Sequence, residues 1–167
     1  MNLTFNSEKE KTDIIASFEA ILKNNILMSL ASIDKKGNNP FICSLFYTFD
    51  ENYNLYFWSE KNTVHSLNIS QNKNVSISIA DTSQEWGSNL KGLKIYGKAK
   101  DVLNDELMIG ANKYIERFPK VKILINKIED FNSRYKSKLY RVEIEKIILL
   151  DEEKFGKEKY KEIIISR

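Results

Sequence analysis

Two stretches of the chain show the helical repeat, in which apolar residues recur every three or four positions. The first runs from Ser7 to Lys23 and opens with the capping-box pair Ser7 and Glu10. The second begins at Asn104, a residue type that caps helices, and ends at Pro119, because proline cannot continue a helix. The pattern therefore predicts two amphipathic helices.

Most of the remaining chain alternates apolar and polar residues or is rich in aromatic and β-branched residues, which is typical of strands. Strands are predicted at about residues 26–31, 41–49, 55–58, 75–79, 93–99, 139–150 and 163–165, with a short helix at 62–70. Short polar turns such as 34–38 and 50–54 join neighbouring strands, whereas a parallel sheet needs long crossovers. The predicted fold is mainly β, an antiparallel β-barrel of Greek-key or meander type with flanking helices.

The length of 167 residues is typical of one domain, so a single domain is predicted over residues 1–167. It includes the N-terminal helix and a C-terminal extension of helix and strand. Acidic and basic residues are interleaved and the net charge is only +3, which argues against nucleic acid as a partner. No apolar run approaches the ~20 residues of a membrane helix, and the N-terminus has no signal-peptide pattern, so we expect a cytoplasmic protein without a membrane partner.

Recognised catalytic motifs are absent from the sequence: it contains no phosphate loop, dinucleotide fingerprint or nucleophile elbow. Cys43 and His65 are the only residues of their types, so neither an internal disulfide nor a Cys/His metal cluster is predicted. One segment contains candidate ligand-binding residues. The strand ending at Ser59 leads through a polar turn into the short helix, and hydroxyls beside a helix N-terminus make a candidate anion site.

At these residues the chain resembles the pyridoxamine 5'-phosphate oxidase-like FMN-binding split barrels. The resemblance runs from about Leu27 to Val102. It includes the strand 41–47, the Trp58-Ser59 step, the helix 65–69 and the strand 93–99 with Gly97. Farther along, the segments 117–119 and 155–157 look like a short bacterial branch of the family. The match is a degenerate pattern spread over these segments, without a single diagnostic string.

The resemblance implies an antiparallel split β-barrel that binds FMN, with F420 or haem as alternative cofactors. It implies that the second strand lines the flavin ring and that residues around the short helix hold the phosphate. The implied ring residues are Ser44, Leu45 and Phe46, and the implied phosphate-side residues are Trp58, Ser59, Lys61, Thr63 and His65. Val64 stands where many members have arginine, and Lys61 is expected to compensate. The structural alternatives are a core position for Trp58 and a surface or capping position for His65.

Two functions follow from this resemblance. The first is an FMN-dependent oxidoreductase acting on an unknown small molecule, with no catalytic residue assigned, because a flavin carries the chemistry itself. The second is a non-catalytic flavin carrier or sensor, or a barrel dimer without cofactor. Retained Ser59, Thr63 and His65 favour the first function, and the missing arginine favours the second. A homodimer is predicted in both cases, because the strands carry more aromatic surface than one barrel can bury and family barrels pair to form the cofactor cleft.

Overall fold

An eight-stranded sheet forms the centre of the molecule in a computed structural model that describes residues 8–165. The strands are β1 (Leu27–Ile33), β2 (Pro40–Phe46), β3 (Thr48–Phe49), β4 (Leu55–Glu60), β5 (Asn74–Ala80), β6 (Lys91–Asp101), β7 (Ser137–Asp151) and β8 (Tyr160–Ile164). Their order across the sheet is β2-β1-β5-β6-β7-β4-β3, with β8 also paired to β7. Each of these pairs is antiparallel. The predicted mainly-β, antiparallel fold class is confirmed.

The sheet is curled because a single residue connects β2 and β3, the strands at its two opposite edges. The sequence pattern predicted one strand over 41–49, but the structure divides it at Tyr47 into β2 and β3. β2 pairs with β1 at one end of the strand order, whereas β3 pairs with β4 at the other end. Tyr47 is buried between them, and its hydroxyl donates a hydrogen bond to the Leu22 carbonyl at 2.9 Å. The two ends of the sheet must therefore lie close together.

A β-bulge between β6 and β7 adds to this curvature. The register shifts at Tyr96 and Gly97, where Glu145 is the extra residue on β7. A Cβ atom at residue 97 would lie 2.2 Å from the Glu143 carbonyl oxygen, so only glycine allows the two strands to approach this closely. Bulges bend a strand and strengthen its twist, which is the distortion that a barrel requires.

The helices are α1 (Glu8–Asn24), α2 (Val64–Gln71), α3 (Asn104–Arg117), α4 (Asp130–Ser133) and α5 (Glu152–Phe155), with 3-10 turns at Pro119–Ile123 and Arg134–Lys136. Both predicted amphipathic helices are present, although Ser7 of the predicted capping box lies outside the described residues. Asn104 is not the cap that its residue type indicated: it has a φ of 52°, and the extended Leu103 precedes the helix. None of the helices within residues 8–165 is long and apolar enough to cross a membrane.

Two apolar clusters form the core. The larger one lies between α1 and the inner face of the sheet, and the smaller one joins α3 and the segment 121–131 to the β4–β7 pair. Strand alternation explains the larger cluster, because Val75, Ile77 and Ile79 of β5 are buried while the residues between them are exposed. Burying each such side chain contributes about 1.5–3 kcal/mol. The opposite, outer face of these strands is left uncovered.

Candidate functional site

The outer face of the sheet carries small side chains on adjacent strands. In the strand registers Ser44 lies opposite Ser29, Ser29 opposite Ser78, and Ser78 opposite Lys94. The next row along the same face is Ile42, Ala31, Ser76 and Tyr96. We call Ser29, Ala31, Ser44, Ser76 and Ser78 the small-residue platform. A shallow cavity of about 200 Å³ lies on it, bordered by Ile42, Lys94 and Tyr96.

Large apolar side chains border the platform and are open to solvent. Ile42 is 66% exposed and Phe46 is 50% exposed, and Leu27 lies opposite Phe46 in the register. Phe46 also meets the Phe118 ring edge-on, with ring centroids 5.6 Å apart. A flat surface of small side chains with an apolar border is suited to a planar aromatic group, because nothing projects from its centre.

The three residues expected to line a flavin ring divide between the two faces of β2. Ser44 belongs to the platform and Phe46 to its border, and both are exposed. Leu45 points the other way and packs against the larger core cluster, so it offers the outer face only its backbone. Sequence reasoning missed Ser29 and Ser78. The available signal was the alternation of small residues with buried apolar residues along β1 and β5.

A second group of polar side chains meets at the start of α2, and we call it the His65 cluster. The Nε2 atom of His65 lies 2.7 Å from Ser59 Oγ and 3.1 Å from Thr63 Oγ1, while its Nδ1 atom lies 3.4 Å from Cys43 Sγ. The structure thus brings together three of the residues expected on the phosphate side. His65 is only 6% exposed and stacks on Phe41, so the alternative of a surface histidine is wrong.

The groups of the His65 cluster are neutral at pH 7 in the protein without ligand. Burial lowers the pKa of His65, so its ring is uncharged. Burial also raises the pKa of Cys43, which keeps the sulfur as a thiol. Thr63 precedes α2 as its N-cap residue but makes no side-chain cap, so the amides of the first helical turn are not bonded by that side chain.

The other two residues expected on the phosphate side lie elsewhere. The Trp58 indole N–H donates to the Phe131 carbonyl at 2.8 Å, and its ring meets the Phe131 ring edge-on. Trp58 therefore packs against the smaller core cluster, as its structural alternative predicted. Lys61 is exposed and borders a separate cavity on the other side of α2, together with Lys73 and Lys138.

No family model matches the chain. Curated relatives named UPF0306 proteins, from Yersinia pestis, are 32% identical to it over 88 residues. The match covers 52% of this chain and 59% of the relatives, so the chain spans less than two thirds of their length.

Solved structures match far more of the chain. A Listeria innocua protein provisionally named pyridoxamine 5'-phosphate oxidase has a TM-score of 0.62 at 18% identity, covering 82% of this chain and 98% of that one. A haem-binding protein from Mycobacterium smegmatis has a TM-score of 0.70 at 15% identity, covering 89% and 57%. HutZ, the haem storage protein from Vibrio cholerae, has a TM-score of 0.66 at 17% identity, covering 81% and 93%.

These identities establish the fold alone. The chain has the split-barrel fold of the pyridoxamine 5'-phosphate oxidase-like proteins, and the resemblance predicted from the sequence is confirmed at that level.

Proposed function

We propose that the protein binds FMN on the small-residue platform, between two copies of the chain, and acts as a flavin-dependent oxidoreductase on a small molecule. The observation that carries this proposal is the row formed by Ser44, Ser29 and Ser78, which crosses three adjacent strands without a bulky side chain. A planar ring gains most contact on such a surface, and serine hydroxyls can exchange hydrogen bonds with its polar edge.

The FMN phosphate is proposed to bind at the start of α2. The helix N-terminus carries a partial positive charge, and its first-turn amides are not capped by Thr63. Ser59 and Thr63 add hydroxyl groups at the same end of the helix, and each would turn from its present partner, His65 Nε2 for Ser59 and the Glu60 carbonyl for Thr63, to donate to the phosphate. A bound phosphate dianion would favour the charged form of His65 and so oppose the effect of burial on its pKa.

FMN would supply the hydride or electron transfer itself. The residues of this chain would position the ring and exclude water from one face, and the second copy would cover the other face. This division of roles accounts for a site built from serines and alanine, with no general base on the platform to activate a serine as a nucleophile. A flavin carrier or sensor would use the same platform. It would differ from an oxidoreductase only in that its bound flavin would not convert a substrate.

Axial ligation favours FMN over haem as the proposed cofactor. Haem iron is held by an axial histidine, cysteine, methionine or tyrosine. Both ring nitrogens of His65 already have partners, and the buried ring does not border the platform on which a haem plane would lie. Tyr96, which is 41% exposed at the platform border, is the side chain there that could ligate iron. FMN requires no axial ligand, and the serines and the alanine of the platform supply none.

The test is a titration of the purified protein with FMN. Binding is monitored through the quenching of flavin fluorescence and the visible absorbance of the complex. The parent chain should bind FMN. Ser78→Trp should weaken binding about 10- to 100-fold, because the indole would occupy the surface that the ring needs. Ser88→Trp, in the exposed loop after β5, is the matched control and should bind like the parent.

The proposal fails if FMN leaves the fluorescence unchanged, or if Ser78→Trp binds as tightly as the parent. A Soret band on titration with haemin, together with no flavin binding, would favour the haem alternative. Anaerobic reduction of the bound FMN by NADH or NADPH, followed by reoxidation with an acceptor, would distinguish an oxidoreductase from a carrier.

A further inference from the structure

A cavity of about 410 Å³ opens between α2 and the strands β6 and β7, away from the platform. Four lysines line it, Lys61, Lys73, Lys100 and Lys138, and Asp101 is the acidic residue among the lining side chains. These residues are far apart in the sequence, so no sequence motif marks the cavity. Its volume falls in the range of about 300–1,000 Å³ that is typical of small-ligand sites.

The positive charge of this lysine cavity is only partly neutralised. Lys138 pairs with Asp101, and Lys100 Nζ lies 2.9 Å from a carboxylate oxygen of Glu106. Glu106 is shared, because Arg141 also lies 2.6 Å from it. Within residues 8–165 the side chains of Lys61 and Lys73 make no ion pair, and both are exposed at the cavity. The lining side chains therefore present a net charge of about three, which an anionic ligand can compensate.

Neutral donors and apolar groups complete the lining. Tyr140 contributes a hydroxyl, and burial raises its pKa, so this hydroxyl stays protonated and can donate; Ser66 also lines the cavity, but its hydroxyl donates to the Glu60 carbonyl at 2.8 Å. The buried Ile69 and Ala99 supply apolar surface. A cavity with lysines, a tyrosine hydroxyl and an apolar part matches a ligand that has a phosphate group and a less polar body.

We infer that the lysine cavity is a second ligand site, specific for a phosphate-bearing metabolite no larger than a mononucleotide. It shares no residue with the small-residue platform or the His65 cluster, although Ser66 of its lining accepts a hydrogen bond from Thr63 at 2.9 Å, so the inference goes beyond the proposed function. A single-stranded nucleic acid would need an extended basic groove with aromatic side chains for stacking. The lysines instead surround one concave site, in which Tyr140 is buried and stacked on Phe57, which favours a small ligand.

The experiment uses inorganic pyrophosphate and AMP as probes, with binding measured by calorimetry at low ionic strength. Lys61→Gln combined with Lys73→Gln removes the two lysines without ion pairs and leaves the Lys138–Asp101 pair intact. Lys35→Gln combined with Lys36→Gln, in the exposed β1–β2 turn, makes the same change in net charge and is the matched control.

The parent should bind pyrophosphate with a Kd below about 1 mM, and the Lys61/Lys73 variant should bind at least about tenfold more weakly. The control should bind like the parent, and saturating FMN should leave the pyrophosphate affinity unchanged.

Four results would overturn the inference. These are no binding of either probe to the parent, equal binding by the Lys61/Lys73 variant, an equal loss in the control, and direct competition with FMN. Affinity for single-stranded oligonucleotides that rises with their length would identify a nucleic-acid surface instead.

Discussion

Single side chains in this protein take their properties from burial rather than from their type. His65 illustrates this, because a lone histidine in a short polar helix is typical of a surface residue. The fold encloses it between β2, β4 and α2, where two hydroxyls and a thiol surround its ring nitrogens. Ser44 and Leu45 are adjacent in the sequence but lie on opposite faces of the sheet, because successive side chains of a strand alternate between its faces.

The buried His65 should make stability depend on pH below about pH 6.5. Its pKa is lowered in the folded protein, whereas the unfolded chain has the ordinary value near 6.5. The unfolded state therefore binds more protons in this window, so the free energy of unfolding falls as the pH drops below about 6.5 and is level above it. Urea unfolding at a series of pH values, followed by tryptophan fluorescence, measures this slope.

His65→Gln serves as the comparison because glutamine keeps hydrogen-bonding groups but does not titrate. Its free energy of unfolding should be flat from about pH 5 to 7, while both proteins lose stability at lower pH as carboxylates protonate. An identical slope in the parent and in His65→Gln would contradict the assignment of the pH dependence to this ring.

At the scale of elements, α3 lies unusually close to the sheet because of one glycine. A Cβ atom at Gly110 would lie 2.3 Å from Tyr56 Cδ1 and 2.8 Å from Leu139 Cδ2. Tyr56 cannot easily move, since it is buried and its hydroxyl donates to Asp50 at 2.9 Å. The close approach of α3 to β4 therefore depends on the missing side chain.

Gly110→Ala should destabilise the protein although alanine is the better helix former. The helix preference favours alanine by about 1 kcal/mol, but overpacking a core costs about 1–3 kcal/mol. We expect a net loss of up to about 2 kcal/mol in the free energy of unfolding, measured by denaturant titration. Asn112→Ala, at an exposed position of the same helix, should be neutral or stabilising. A Gly110→Ala protein as stable as the Asn112→Ala protein would show that α3 can shift away from Tyr56.

Periodicity predicted most helices and strands because each is a local pattern, but it did not predict how they join. The alternation of residues 41–49 continues through Tyr47, so the break there follows only from the different partners of β2 and β3. The same limit applied to the sites. The serines of the platform and the lysines of the cavity come from separate elements, and strand order alone brings them together. The family resemblance and the strand-to-helix step grouped Ser59, Thr63 and His65, and the structure brings these three side chains together, whereas Trp58 and Lys61 of the same segment lie elsewhere.

At the scale of the whole molecule, Tyr47 links β2 to β3 and so brings the two edges of the sheet together around the larger core cluster. The outer face of β1, β2, β5 and β6 is left uncovered. Large apolar residues remain on that face at the platform border, whereas the apolar side chains that β1, β5 and β6 direct inward are buried. A homodimer that buries this face is proposed, because a second copy would cover both the apolar border and a ring bound on the platform. A stable interface needs about 800 Å² from each partner, which a patch spanning four strands can provide.

The proposed dimer should depend on Ile42, the most exposed large apolar residue at the platform border. Ile42→Asp would place a charge within the proposed interface, where an unpaired charge is costly to bury. We expect the parent to sediment as a dimer at about micromolar concentration and Ile42→Asp to sediment as a monomer. Ile123→Asp is the matched control: Ile123 is 82% exposed in the 3-10 turn after α3, outside the platform, so this variant should stay dimeric.

If FMN lies between the copies, adding it should shift Ile42→Asp back toward the dimer, because a ligand that binds only the dimer stabilises it by mass action. A monomeric parent, or an Ile42→Asp protein that remains fully dimeric without FMN, would show that this face does not join two copies.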